Sequence, residues 1–155
     1  PMVVARMIQA AKIMPADVVL DVACGAGYAA AILGTMARAV VAVESDTELA
    51  GMASARVTNL GLDNVVVEVG PVNAGWADQA PYDVIMIIGA CEQISEAVYS
   101  QLADGGRLCA VMRERSGTSS AKLFVKTGGT VSSRTLFDAN TPVLPEFVLE
   151  EGFTF

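Results

Sequence analysis

The stretch from Val18 to Leu33, VVLDVACGAGYAAAIL, constrains the fold of this chain more than any other part of it. Its apolar run ends in an acid at Asp21, turns through Gly25 and Gly27, and continues into an alanine-rich segment. This order predicts a strand, a tight turn and a helix. Backbone N–H groups at such a helix start favour a small anionic or hydroxyl-rich ligand, which glycine allows to approach closely.

A second apolar run, Ala39 to Val43, ends in Glu44, nineteen positions after Gly25. An acid at this spacing commonly binds ribose hydroxyls in nucleotide-binding α/β folds. The sequence therefore predicts a ligand that contains a nucleoside.

Two cofactor classes and one purely structural interpretation remain open. Gly25, Gly27 and Ala30 fit the G-x-G-x-x-A pattern of dinucleotide-binding proteins. Asp21 argues against a pyrophosphate, which a neighbouring carboxylate repels, and favours a ligand with ammonium and sulfonium groups, as in S-adenosylmethionine. Structurally, the glycines would make only a turn, Asp21 would cap a nearby group, and Glu44 would be an ordinary loop acid.

Composition limits the partners and the compartment. The 155 residues predict one domain, and the net charge of −7 disfavours nucleic acid and anionic membranes as partners. No apolar run is long enough to cross a bilayer. Because 53% of the residues are hydrophobic, we expect a covered surface, either in a homo-oligomer or under chain that precedes Pro1.

The sequence contains no histidine, which removes the commonest general base and the commonest metal ligand. Triad hydrolysis and a typical zinc site are therefore disfavoured, and no metal is expected. The three cysteines, Cys24, Cys91 and Cys109, show no metal spacing and indicate reduced thiols in a cytoplasmic protein.

Hydrophobic patterning predicts alternating helices and strands followed by a hairpin. The predicted helices are Met2–Met14, Tyr28–Ala37, Asp46–Leu60, capped at Ser45 or Asp46, and Glu96–Leu102. The predicted strands are Val18–Val22, Ala39–Val43, Val65–Val69, Val84–Ile88 and Arg107–Met112, the last entered through a turn at 104–106. Ala121–Thr127 and Val131–Phe137, joined by Gly128 and Gly129, predict an antiparallel hairpin at the sheet edge.

Successive blocks of the sequence resemble the protein-L-isoaspartate O-methyltransferases. These blocks are PMVVARM, DVACGAGYAAAIL, VVAVE, LGLDNVVVEVG, PYDVIMI and LADGGRLCAVM, with Gly75-Trp76 adding to the likeness. The resemblance implies a single-domain, Rossmann-like class I methyltransferase fold, with a mostly parallel seven-stranded sheet of order 3-2-1-4-5-7-6. It also implies methyl transfer from S-adenosylmethionine to the free carboxylate of L-isoaspartyl residues in damaged proteins, which begins their repair.

The same resemblance assigns the cofactor site. Asp21, Gly25 and Gly27 would surround the methionyl end of the cofactor, Glu44 its ribose, and Ser45 with residues 70–72 its adenine. The full predicted set is Asp21, Cys24, Gly25, Ala26, Gly27, Glu44, Ser45, Gly70, Pro71, Val72 and Gly89. Such transfer needs no histidine, because the acceptor carboxylate is already ionised and the sulfonium leaves without an acid.

The chain departs from the family pattern at two positions. Pro71 stands where the family usually has the acid of Gly-Asp-Gly, so the adenine amino group loses a hydrogen bond of about 1.5 to 3 kcal/mol. Ala23 stands where the family prefers glycine. In addition, the family's substrate-positioning Ser or Thr precedes a proline equivalent to Pro1, so no catalytic residue is assigned, and we expect this sequence to bind cofactor without transferring the methyl group.

Other residues leave alternatives open. Cys91 and Glu92 follow the fourth strand and either line a substrate cleft or form a polar turn, while Trp76 is predicted to be core rather than a cofactor cover. Arg113 to Arg115 is interpreted as a solvated rim. Competing functions are a class I methyltransferase with a small-molecule acceptor such as a precorrin, a non-catalytic relic of the fold, and, more distantly, an NAD-binding protein.

Overall fold

The computed structural model describes residues 2–150, and within them the chain forms seven strands, four helices and three short 3-10 turns. The helices are α1 (Met2–Ala11), α2 (Tyr28–Met36), α3 (Thr47–Asn59) and α4 (Glu96–Ser100). The strands are β1 (Val18–Val22), β2 (Ala39–Glu44), β3 (Val65–Val69), β4 (Tyr82–Cys91), β5 (Leu102–Arg113), β6 (Ser119–Thr127) and β7 (Thr130–Asp138). The 3-10 turns are Val72–Ala74, Ala77–Gln79 and Pro145–Phe147.

The sheet has the order β3-β2-β1-β4-β5-β6-β7, with parallel pairing from β3 to β5 and antiparallel pairing from β5 to β7. The α/β class, the single seven-stranded sheet and the antiparallel hairpin are confirmed. The expected order of the last two strands is wrong, because β6 rather than β7 pairs with β5. Gly128 and Gly129, with φ of 58° and 80°, form a tight turn that brings β7 to the outer side of β6, so β7 occupies the edge.

Two apolar layers bury the parallel strands on both faces. Alternate residues of β1 point into different layers, so Val19 packs with α1 and α2 whereas Leu20 and Val22 pack on the opposite face. Helix α1 packs on the sheet as predicted and buries Met7, Ile8 and Ala11. Because α1 helps to cover one apolar face of the sheet, strands without polar alternation can form a stable sheet here.

The predicted boundary between α4 and β5 is wrong. The helix ends at Ser100, and the glycine pair after Asp104 forms an irregularity inside β5 rather than a turn before it. The register shows the extra residues, because Leu102 pairs with Tyr82 while Arg107 pairs with Val84. Backbone pairing on both sides of the glycines thus overrides their local turn preference.

Helix α1 also ends before its predicted limit, at Ala11, because Lys12 adopts a left-handed φ of 49°. Arg107 of β5 binds this helix end. Its Nε donates to the carbonyl of Ala11 at 3.0 Å, and its Nη2 donates to the carbonyl of Lys12 at 3.0 Å and to Asp17 Oδ2 at 2.7 Å. A residue predicted only as the start of a strand therefore fixes the N-terminal helix to the sheet.

Candidate functional site

The loop between β1 and α2 makes a sharp bend at the carboxyl edge of the sheet. Three of its residues are left-handed, with φ of 59° at Ala23, 57° at Gly25 and 86° at Gly27. Glycine adopts this region readily, whereas an alanine there costs about 1 to 2 kcal/mol. The departure at Ala23 therefore places strain in the loop.

The two glycines of this bend have different roles. A Cβ at Gly27 would lie 2.8 Å from the Cα of Ala53, so this glycine allows α2 to pack closely against α3. A Cβ at Gly25 would meet no atom within 4 Å. Gly25 therefore leaves open space at the bend, as close approach of a ligand requires.

The prediction of free N–H groups in this loop is wrong for both glycines. Gly27 N donates to the carbonyl of Cys24 at 3.0 Å, and Gly25 N donates to Glu44 Oε2 at 2.8 Å. The neighbouring Ala26 uses its carbonyl to accept a hydrogen bond from Arg56 Nε of α3 at 3.0 Å. Protein groups thus hold the loop in shape.

Glu44, at the end of β2, joins two loops of the site. Besides Gly25 N, its carboxylate accepts hydrogen bonds from Ser45 N at 3.0 Å and Asp46 N at 3.1 Å, and the residue is only 7% exposed. Since each carboxylate oxygen has two lone-pair sites, this bonding leaves acceptor capacity. Ribose binding by Glu44 stays a prediction, and the structure adds a positioning role that the spacing did not indicate.

Asp21 is the most unusual group of the site. Its side chain is 0% exposed, and neither carboxyl oxygen has a hydrogen-bond partner among the described residues. Burial, and secondarily the charge of Glu44, raises the pKa of Asp21 from 3.8 to about 8. With this pKa the carboxyl is mostly protonated at pH 7, which corrects the expectation of a charged carboxylate.

The turn after β3 forms the next wall. Gly70 N donates to the carbonyl of Glu44 at 3.1 Å, and a Cβ at Gly70 would lie 3.1 Å from Trp76 Cζ3. Pro71 is exposed, whereas Val72 is 1% exposed and belongs to the core. The structure thus brings Gly70 to Glu44 but directs Val72 away from solvent.

A buried glutamine that sequence reasoning missed supports this turn. Gln101 Oε1 accepts a hydrogen bond from Trp76 N at 2.9 Å, and its Nε2 donates to the carbonyl of Ala74 at 2.8 Å. Trp76 is half-buried and packs against the core, and its backbone carbonyl also accepts from the Tyr82 hydroxyl. No sequence pattern distinguishes Gln101 from an ordinary residue at a helix end.

The end of β4 contains an irregularity at Gly89. Its φ is +143°, and the register slips between Ile87 and Ala90. Cys91 is fully buried in the core, so it does not line a cleft, whereas Glu92 Oε2 accepts a hydrogen bond from Leu149 N at 3.0 Å. A cavity of about 740 Å³ lies beside Glu92. Its lining comprises Glu92, Arg113, Glu114, Arg115, Val148, Leu149 and Glu150.

The segment 142–149, which we call the C-terminal strap, crosses this edge of the sheet and was not predicted. Ala90 N donates to the carbonyl of Pro142 at 3.0 Å, and Glu92 N donates to the carbonyl of Phe147 at 2.9 Å. Phe147 is 1% exposed. The strap therefore closes the side of the site next to β4.

Cysteine chemistry is disfavoured throughout the described chain. Burial raises the pKa of Cys24, Cys91 and Cys109 to about 12, so all three thiols stay protonated at neutral pH. The negative charges of Asp21 and Glu44 raise the pKa of Cys24 further. Cys24 fills space in the glycine loop, and its contact with a cofactor stays a prediction.

Residues 2–150 hold no group of three or more potential metal-binding side chains. Among the helices of the same part of the chain, none is long and apolar enough to cross a membrane.

Comparison with known proteins agrees with this architecture. Residues 1–140 match the family model of protein-L-isoaspartate(D-aspartate) O-methyltransferase. The chain is 46% identical to a protein-L-isoaspartate O-methyltransferase of Koribacter versatilis over 70% of this chain and 49% of that protein. It is 41% identical to a Helicobacter pylori protein of the same name over 81% of this chain and 60% of that protein. The chain thus spans about half the length of such relatives.

Solved structures show the same likeness. One protein-L-isoaspartate O-methyltransferase superposes with a TM-score of 0.86 at 25% identity, covering 93% of this chain and 47% of that one. A Plasmodium falciparum structure described as a protein of this kind in complex with S-adenosyl-L-homocysteine superposes with a TM-score of 0.74. At 18% identity over 92% of this chain and 71% of that one, this second match supports the fold alone.

Proposed function

The chain belongs to the protein-L-isoaspartate O-methyltransferase family, and on this premise we propose that it binds S-adenosylmethionine. We propose further that the whole protein transfers the methyl group to the free carboxylate of L-isoaspartyl residues in damaged proteins.

One observation carries the proposal, the unpartnered carboxyl of Asp21 at the base of the glycine loop. A buried acceptor without a donor costs about 1 to 3 kcal/mol, and a native structure retains such a group where a ligand satisfies it. The ammonium and sulfonium groups of S-adenosylmethionine are suitable partners. A cation would also lower the pKa of Asp21 and ionise it on binding.

The remaining residues of the site fit the nucleoside part. Glu44 is held rigidly by three backbone N–H groups and retains acceptor capacity for ribose hydroxyls. A Cβ at Gly25 would meet no atom within 4 Å, which leaves room for close approach of the ligand. Cys24, Ala26 and Gly27 shape the loop, and Gly89 marks the end of β4.

When bound, the cofactor supplies an electrophilic methyl group. The task of the chain is then to orient the acceptor and exclude water, since a carboxylate is already ionised at neutral pH and needs no base. The proposal puts the acceptor in the cavity beside Glu92, where Arg113 and Arg115 would have to pair with its carboxylate in the presence of three glutamates. In this proposal the strap excludes water from the side of the site next to β4, to which its backbone is hydrogen-bonded.

Calorimetric titration tests cofactor binding, and methyl transfer tests the acceptor. We expect S-adenosylmethionine and S-adenosylhomocysteine to bind, and Asp21→Asn to weaken both because the amide cannot pair with the ammonium group. In the whole protein, labelled methyl should pass to an isoaspartyl peptide but not to the same peptide with a normal aspartyl linkage. Transfer only to small molecules would select a different acceptor class.

A second candidate is a protein of the same fold that binds no cofactor. The engagement of Glu44 by three backbone donors and the closure of Asp21 to solvent favour it. No heat of binding with either ligand, from protein shown to be folded, would select this candidate over the enzyme.

The proposal extends to partners and location. Besides the damaged protein, we propose a second copy of the chain as a partner. Met52 of α3 is 50% exposed, and Leu60, which directly follows α3, is 61% exposed, so these apolar side chains are available for a protein contact. Sedimentation of the wild type and of Met52→Gln tests this. The three buried free thiols support a cytoplasmic location.

A further inference from the structure

The C-terminal strap is fixed to the sheet by its backbone. Leu144 N donates to the carbonyl of Ala90 at 2.9 Å, and the carbonyl of Phe147 accepts from Gln93 N at 3.2 Å in addition to Glu92 N. These hydrogen bonds extend the pairing of β4 beyond its end. The strap is therefore held by backbone hydrogen bonds at the carboxyl end of β4.

Strap side chains contact the ends of the strands that form the cofactor site. A Cβ at Gly89 would lie 2.6 Å from Leu144 Cγ, so Leu144 packs directly on that glycine. Phe147 lies in one apolar cluster with Val22, Val43 and Val72, which come from the ends of β1 and β2 and from the turn after β3. Phe147 thereby anchors the strap over the proposed nucleoside site.

This anchoring holds Glu146 at a defined place. Its Oε1 accepts a hydrogen bond from Ser45 Oγ at 3.0 Å, and the turn Pro145–Phe147 packs against the turn Val72–Ala74. The carboxylate of Glu146 therefore lies between the end of β2 and the turn after β3. The side chain is exposed, so a ligand can reach it.

The proposed function puts the ribose at Glu44 and the adenine beside Ser45 and residues 70–72, which border this same gap. The adjoining turn offers poor acceptors there, because Pro71 has no polar side chain and the carbonyls of Pro71 and Val72 already accept from Ala74 N and Gly75 N. The exocyclic amino group of adenine needs an acceptor when it leaves water.

Resting on the proposed function, we infer that Glu146 accepts a hydrogen bond from the 6-amino group of adenine and so selects an adenosyl over an inosyl ligand. Ser45 positions the carboxylate. The strap thus supplies a recognition residue from a part of the chain a hundred residues away from Glu44 in sequence.

Titration of the full chain with S-adenosylhomocysteine and S-inosylhomocysteine tests this inference. The inosyl analogue replaces the amino donor by a 6-oxo acceptor, which a carboxylate repels. We expect the wild type to prefer the adenosyl ligand by about 10- to 100-fold. In Glu146→Ala the preference should approach 1, and in Glu146→Gln the amide should improve binding of the inosyl ligand.

The matched control is Glu96→Gln, which removes one exposed carboxylate from α4 and should keep the wild-type preference. An unchanged preference in both Glu146 variants would overturn the role of Glu146 while leaving cofactor binding intact. Equal gains in affinity for both ligands in Glu146→Ala would also overturn it, by showing that the strap obstructs the site. If the wild type binds neither ligand, the proposed function and this inference fail together.

Discussion

Replacing Asp21 by asparagine should change how stability depends on pH. The carboxyl is fully buried without a partner, and its pKa rises from 3.8 to about 8 in the folded protein. The folded protein therefore keeps a proton that the unfolded chain releases above pH 4. This favours folding below pH 4, and the benefit is lost as pH rises from about 4 to about 8.

The size of the effect follows from the interval between the two pKa values. At about 1.4 kcal/mol per pH unit, the folded wild type loses up to about 4 kcal/mol of stability between pH 4 and pH 7 through this group alone. Asparagine carries no charge in either state. The free energy of unfolding of Asp21→Asn minus that of the wild type should therefore rise by about 3 kcal/mol from pH 5 to pH 7.

Urea unfolding at pH 5, 6, 7 and 8, followed by the fluorescence of the single tryptophan, Trp76, measures this difference. Asp63→Asn makes the same chemical change at an exposed position and serves as the control. If the curves of wild type and Asp21→Asn stay parallel across this range, Asp21 is ionised in the folded protein and the reasoning from burial is wrong.

The same titration links stability to binding. A cationic ligand ionises Asp21, so binding of S-adenosylmethionine at pH 7 should release up to about one proton from this carboxyl. Calorimetry in two buffers of different ionisation enthalpy measures the release, and Asp21→Asn should release correspondingly less. If wild type and Asp21→Asn release the same number of protons, the ligand does not ionise Asp21.

Three further substitutions test the packing of the site and of its support. Ala23→Gly should stabilise the protein by about 1 kcal/mol in urea unfolding, because glycine relieves the left-handed φ of 59°. The control Ala26→Gly should give no such gain, and equal effects of the two substitutions would show that Ala23 is not strained. Gly27→Ala should destabilise by about 3 kcal/mol, because its Cβ would lie 2.8 Å from Ala53; a loss under about 1 kcal/mol would show that α3 yields. Arg107→Ala should lower the melting temperature through loss of about 3 kcal/mol, and Arg107→Lys should recover part of it; no change in either would remove its role in fixing α1.

Local sequence determined the elements and the centre of the site. Apolar runs predicted the five parallel strands, and the paired glycines after them predicted the hairpin, because side-chain patterning and backbone freedom act over a few residues. The spacing from Gly25 to Glu44 predicted a ribose-binding acid, which stays a prediction. The hydrogen bond of 2.8 Å from Gly25 N to Glu44 Oε2 did not follow from that spacing.

Tertiary structure alone decided the protonation of Asp21 and the contribution of the strap. The pKa of a carboxyl depends on what buries it, and the atoms around Asp21 come from segments that no local pattern brings together. Likewise, Glu146 and Phe147 reach the site through pairing with β4, about fifty residues earlier in the chain. Sequence therefore specified the candidate groups of the site, whereas packing between distant segments set their charge state and their neighbours.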